Sequence, residues 1–132
     1  MAYLIDTNIA IHARDGTESV LEKLAQHDGA VLLSALSLAE LQRGLYKNPT
    51  ETALRQARLE VLVRHIPILP FDAAAAQTYG QIIARLGWIK GRDYDRMIGA
   101  HAITCGAVLV TNNRADFDDI PGLTIENWIT VA

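Results

Sequence analysis

Four acidic side chains occupy positions where a folded chain could use them together. Asp6 lies in Ile5-Asp6-Thr7-Asn8, Glu40 in Ser37-Leu38-Ala39-Glu40, Asp95 in Asp93-Tyr94-Asp95-Arg96, and Asp116 in the run from Thr111 to Phe117. Carboxylates that crowd into one pocket repel one another, so a cluster implies bound divalent cations or strongly raised pKa values. Oxygen-only ligands point to Mg²⁺ or Mn²⁺ rather than Zn²⁺. An ion held in this way can polarise a phosphate and activate water, which is metal-assisted phosphodiester hydrolysis.

Each acid also has an ordinary structural explanation. Asp6, or Thr7, could cap a short helix that begins near Ile9. Ser37 and Glu40 have the spacing of a capping box, in which the glutamate reaches back to its own helix start. Yet Glu40, Arg43, Gly44 and Lys47 share a face opposite Leu38, Leu41 and Leu45, so Glu40 could equally look into a cleft. Asp95 falls in the first turn of its helix, where the dipole favours a deprotonated acid, and Asp93 is the better candidate for the cap itself. Asn112 and Asn113 fit polar turn chemistry, Asp118 and Asp119 read as solvated turn acids, and Asp116 is set beside a hydrophobic anchor, Phe117.

What could bring these acids together is an α/β sheet. Short apolar runs suited to strands buried on both faces occur at Tyr3 to Ile5, Ala30 to Leu33, Ile66 to Leu69, Val108 to Thr111 and Leu123 to Glu126. They alternate with helical periodicity over Ser37 to Tyr46, Thr50 to Arg64, Asp72 to Leu86 and Asp93 to Cys105. Gly87 and Gly106 supply stops for the last two. The alternation is that of a five-stranded parallel sheet. In the order 3-2-1-4-5, Asp6 and the loop from Thr111 to Asp116 leave the sheet side by side, at the carboxyl ends where open α/β sheets bind ligands. The helices with Glu40 and Asp95 flank that crevice. With no internal repeat and no flexible linker, the 132 residues read as one domain.

Composition narrows the class. A formal net charge of −3 excludes a globally basic nucleic-acid binder, but not a nuclease whose cations supply positive charge. The single cysteine, Cys105, has no internal disulfide partner and reads as packing. His12, His27, His65 and His101 lack paired spacing, which argues against a zinc enzyme. No apolar run approaches a membrane span, and the N-terminus lacks the pattern of a signal peptide, so a cytoplasmic protein is the default expectation. An aspartyl-nucleophile phosphotransferase needs a second aspartate where Asn8 stands. A non-catalytic nucleic-acid or protein-binding module, with the acids as caps, is the remaining alternative.

With these residues in place, the chain resembles the PIN-domain family, and within it the VapC-type toxins of bacteria and archaea. The carriers of the resemblance are Leu4-Ile5-Asp6-Thr7-Asn8, Ser37-Leu38-Ala39-Glu40-Leu41 with Gly44, and Asp95 to Ala102. Leu109-Val110-Thr111-Asn112-Asn113, Asp116-Phe117 and Trp128 complete them. The family often has alanine where Gly99 stands. The resemblance implies a PIN-like three-layer sandwich and an endoribonuclease using Mg²⁺ or Mn²⁺. Its metal-binding acids match Asp6, Glu40, Asp95 and Asp116, with Asp6 and Asp95 holding an ion and Glu40 and Asp116 acting directly or through water. Thr7, Asn8, Thr111 and Asn113 are the supporting polar groups. It further implies a homodimer and a cognate antitoxin whose C-terminal segment enters the active-site groove. Arg43, Lys90, Arg92 and Arg96 are then the cations placed to contact RNA phosphates or antitoxin carboxylates.

Overall fold

A computed structural model of the chain describes residues 1–130. Five parallel strands, β1 (Ala2–Ile5), β2 (Val31–Ser34), β3 (Ile68–Leu69), β4 (Ala107–Val110) and β5 (Ile125–Glu126), form one sheet in the order β3-β2-β1-β4-β5. The expected sheet and strand order are thus present, with β3 and β5 shorter than their apolar runs. In register, Ile5 sits opposite Leu33 on one side and Val110 on the other. All four residues of β4 are buried, as a central strand covered on both faces requires.

The helices are α1 (Thr7–Asp15), α2 (Glu18–Gln26), α3 (Ala35–Gly44), α4 (Thr52–His65), α5 (Ala73–Leu86) and α6 (Asp93–Cys105). Successive strand residues face opposite sides and feed two cores. Ile5 and Val110 join Ile9, Leu41, Leu59 and Trp128 on one side of the sheet. Leu4 and Leu109 join Ile82, Ile98, Phe117 and Ile120 on the other. Gly99 on α6 packs closely on the second core: a Cβ there would stand 2.7 Å from Cδ1 of Ile120, the movable end of that side chain. No described helix is long and apolar enough to cross a membrane.

Two helix starts differ from the sequence expectation. β2 runs directly into α3, and the cap is Ser34, whose hydroxyl accepts from Leu36 N–H at 3.1 Å. Ser37 is already inside the helix, fully buried, so no capping box joins it to Glu40. At α6 the residue in the cap position is Arg92. Asp93 is the first helical residue and accepts instead from the Tyr79 hydroxyl (2.8 Å) and Trp88 Nε1 (2.9 Å). Asp6, one of the two caps the sequence offered for α1, is the one present, accepting from Ile9 N–H, and Asp72 caps α5 by accepting from Ala75 N–H.

Trp128 fastens the end of the described chain to the first core. Its indole is buried, stacks on His27 at 5.6 Å between ring centroids, and donates from Nε1 to Glu126 at 2.9 Å. Trp128→Ala should lower the free energy of unfolding by about 3–5 kcal/mol, the range for emptying a buried aromatic site. Chemical denaturation measures it, and a loss under about 1 kcal/mol would show that the site collapses without cost.

Candidate active site

The carboxyl ends of β1 and β4 meet through Asp6 N–H, which donates to the Val110 carbonyl at 2.9 Å. Asp6 therefore starts α1 beside Thr111, and both side chains are buried. One oxygen of Asp6 accepts from Ile9 N–H at 2.8 Å, so the residue is a helix cap and a cleft-lining acid at once. Burial raises its pKa, against the pull of the Thr111 hydroxyl and Ile9 N–H, and the nearby Glu40 adds to the rise.

α3 brings Glu40 to the same place. Its Oε1 accepts from the Thr7 hydroxyl at 2.6 Å, and Arg43 lies 3.9 Å from Oε2. Glu40 thus binds across the fold to α1 rather than back to its own helix. Asp95 reaches the cleft from the first turn of α6. Its pKa is pushed up to about 6, first by burial and then by the charges of Asp116, Glu40 and Asp6, with Arg92 opposing. The side chains from Asp6 to Asn8, with Glu40, Asp95 and Asn113, line a cleft of about 270 Å³ whose apolar wall is Ile11, Ile98 and Phe117.

Asp116 stands beside this cleft on a 3-10 turn (Arg114–Asp116), where it accepts a hydrogen bond from the Asn113 side-chain amide. Asn113 N–H in turn donates to the Thr111 hydroxyl at 3.0 Å. The Asn8 amide donates to Asn112 at 2.6 Å, tying the start of α1 to the loop after β4. The supporting polar residues thus form short hydrogen bonds linking the acid-bearing segments.

The cations divide. Arg43 and Lys90 are exposed, and Arg92 is close enough for its charge to act on both Asp95 and Asp119. Arg96 departs from the expectation of a substrate contact. It is 1 % exposed and makes a two-pronged ion pair with Asp119 at 2.6 and 2.8 Å. Its Nε has no partner among the described residues but is buried, so the guanidinium offers no accessible donor edge to a phosphate. Asp119 is correspondingly a structural partner rather than a free turn acid, and the pair holds its carboxyl below the usual range. His101, which lacks a paired histidine in the sequence, is buried with Nδ1 2.9 Å from the hydroxyl of Ser34, a partner 67 positions away that local spacing does not signal.

The donor set suits a hard cation: four carboxylates from separate segments, with no sulfur or imidazole at the cleft. Among the described residues no three acids are yet drawn together tightly enough to enclose an ion. Glu40, Asp116 and Asp6 each accept a hydrogen bond instead, from Thr7, Asn113 and Ile9 N–H respectively. The rise at Asp95 shows that their charges are nevertheless felt in common. A larger groove of about 380 Å³, walled by Leu21, Leu24, Val61, Leu62 and Ile66, lies between α1, α2 and α4. It is mostly apolar and contains none of the four acids, so the chemistry belongs to the smaller cleft.

With this geometry in place, comparison with known proteins gives the class. The PIN domain family matches residues 3–123, and the chain belongs to that family. Over nearly its whole length it is similar to Ribonuclease VapC2 of Rickettsia felis, 36% identical over 135 residues, covering 97% of this chain and 98% of the relative. It is likewise 36% identical over 132 residues to the tRNA(fMet)-specific endonuclease VapC of Shigella flexneri, with the same coverage. The crystal structure of DNA-bound VapBC from Salmonella typhimurium superposes with a TM-score of 0.88 at 31% identity, covering 98% of this chain and 99% of that one. Within the family the chain is therefore of the VapC type.

The raised acids make a signed prediction. An acid whose pKa rises on folding holds its proton more tightly in the native state, so stability falls as pH rises from its unfolded to its folded value. For Asp95 that window runs from 3.8 to about 6, and Asp6 acts in the same direction. In chelator-treated protein, Asp95→Asn should remove most of the fall in Tm across this window relative to wild type. Parallel Tm profiles for the two proteins would show that Asp95 is not under strain.

Proposed function

We propose that the chain is a divalent-metal-dependent endoribonuclease, the toxin of a VapBC-type toxin-antitoxin pair, that hydrolyses RNA phosphodiester bonds in this cleft. The observation that carries the reading is the convergence of Asp6, Glu40 and Asp95, from three separate segments, on one cleft where Asp95 is pushed up to about 6. The ribonuclease names of the relatives and the PIN fold support it.

Asp6 and Asp95 are the residues that would hold Mg²⁺ or Mn²⁺, with Glu40 and Asp116 completing the site directly or through water. When bound, the ion supplies Lewis-acid polarisation of the phosphate and a lowered pKa for attacking water. The chain's own part is orientation. Thr7 fixes the rotation of Glu40 by donating to Oε1, and Asn113 does the same for Asp116. Thr111 steadies Asn113 from below, and the Asn8–Asn112 bond fixes the spacing between the two strand ends. Ile11, Ile98 and Phe117 exclude water from one wall, which strengthens every charge interaction beside them. Arg43, Lys90 and Arg92 meet the phosphates on either side of the bond to be cut.

The cognate antitoxin is the natural partner, because structures similar to this chain are VapBC complexes. Its C-terminal segment enters the acidic cleft, and the apolar groove between α1, α2 and α4 offers the same partner a hydrophobic seat. The toxin acts as a homodimer.

Expression of wild type beside Asp6→Asn tests the reading: wild type arrests growth and the variant does not. With purified protein and RNA, Thr7→Val should cut the cleavage rate by about 10- to 100-fold, as loss of a ligand-orienting partner does. Equal growth of cells carrying either protein, with no RNA cleaved in Mg²⁺ or Mn²⁺, would replace this reading with a binding module on the same fold.

A further inference from the structure

The connection between α5 and α6 reads Gly87-Trp88-Ile89-Lys90-Gly91-Arg92 and joins directly to the turn that carries Asp95. Trp88 is 60 % exposed, Ile89 44 % and the following Tyr94 41 %. A large indole in water is unfavourable unless something covers it. The ring is nevertheless not loose. Its Nε1 donates to Asp93 at 2.9 Å, and the same Asp93 oxygen accepts from the Tyr79 hydroxyl at 2.8 Å. Gly87 and Gly91, at φ of 82° and 85°, bracket a turn closed by Arg92 N–H on the Ile89 carbonyl at 3.2 Å. The only polar donor of the indole is thus already used, and the surface it leaves to solvent is that of an apolar π system.

The surroundings select the kind of partner. Lys90 is exposed on the same turn, and the charge of Arg92 reaches Asp95 and Asp119. A fixed aromatic face next to cations is the combination that binds unpaired bases by stacking while the cations follow the backbone. A second copy of the chain fits less well. Two such turns meeting about a two-fold axis would bring both copies' Lys90 and Arg92 into one seam, where like charges repel.

We propose that Trp88 is a stacking platform for an unpaired nucleobase of single-stranded RNA, with Lys90 and Arg92 holding the phosphates between that base and the acidic cleft. This rests on the ribonuclease reading above and adds to it a base-binding subsite outside the catalytic acids. Asp93 and Tyr79 are positioning residues, because they act by holding the indole. The subsite favours unstacked RNA over a duplex, since a base must be free to lie on the ring.

The experiment compares wild type, Trp88→Ala, Trp88→Phe and Trp88→Leu on a short single-stranded RNA of mixed sequence. Stacking that is equal in ground and transition states appears in KM and not in kcat. Trp88→Ala and Trp88→Leu should therefore raise KM by about ten- to a hundredfold with kcat nearly constant, while Trp88→Phe keeps most of the wild-type affinity. Leucine separates a π face from mere apolar bulk. In an Asp95→Asn background, the same RNA should quench the emission of Trp88 and leave that of the buried Trp128, the protein's other tryptophan, unchanged. Thermal melts confirm that each variant is folded, and sedimentation gives its mass. Unaltered KM in Trp88→Ala, or a leucine variant as good as wild type, overturns the platform while leaving the nuclease intact. A fall in mass on Trp88→Ala with unchanged RNA affinity assigns the ring to a contact between copies instead. No cleavage by wild type removes the ribonuclease reading itself, and the platform with it.

Discussion

Asp95 loses part of its solvent on entering the cleft between β1, α3 and α6, and it does so beside three other acids. Neither burial nor like charge favours the ionised form, and together they push its pKa to about 6. Folding has thus placed a carboxyl where it is least comfortable without a counter-charge. The cost is tolerable because it is confined to one end of one sheet. Some acids away from the cleft have a cationic partner, as Asp119 has Arg96 and Asp15 has Arg14.

The fold concentrates this strain by its connectivity. In the order β3-β2-β1-β4-β5, the first strand lies at the point where the direction of the crossovers reverses, and the loops after β1 and β4 part to opposite sides. The gap between them is the cleft. Asp6 caps α1 and Asp95 sits in the first turn of α6, so two helix N-termini bring partial positive charge to the acids from the backbone itself. Thr7 and Asn113 then fix Glu40 and Asp116 by donating to them. Hydrogen bonds to charged groups are the stronger kind, and here they orient acids that repulsion alone would scatter.

The sheet was legible in the sequence because parallel strands covered on both faces leave uninterrupted apolar runs, and the run from Ala107 to Val110 is buried throughout. Asp6 and Asp95 were legible because each stands a fixed step from a strand end or a helix start. Interactions between distant segments were not. Ser37 and Glu40 have the spacing of a capping box, but β2 passes into α3 without a loop, so Ser34 reaches the cap first and Glu40 turns to Thr7, 33 residues away. Arg96 reads as a surface cation from its neighbours alone. Its carboxylate partner is 23 residues on, in a turn whose acids look solvated in sequence. Local spacing states which residues could interact, and only the packing of α6 on that turn decides which do.

The central claim is that the shared negative charge of this cleft is a cation site. Crystals grown without divalent metal and soaked in Mn²⁺ test it most directly, through an anomalous-difference map. The account predicts a peak bonded to carboxylate oxygens of Asp6 and Asp95, and its loss in Asp95→Asn crystals treated alike. A cleft without a peak, with manganese held only by surface acids such as Asp118, would contradict it.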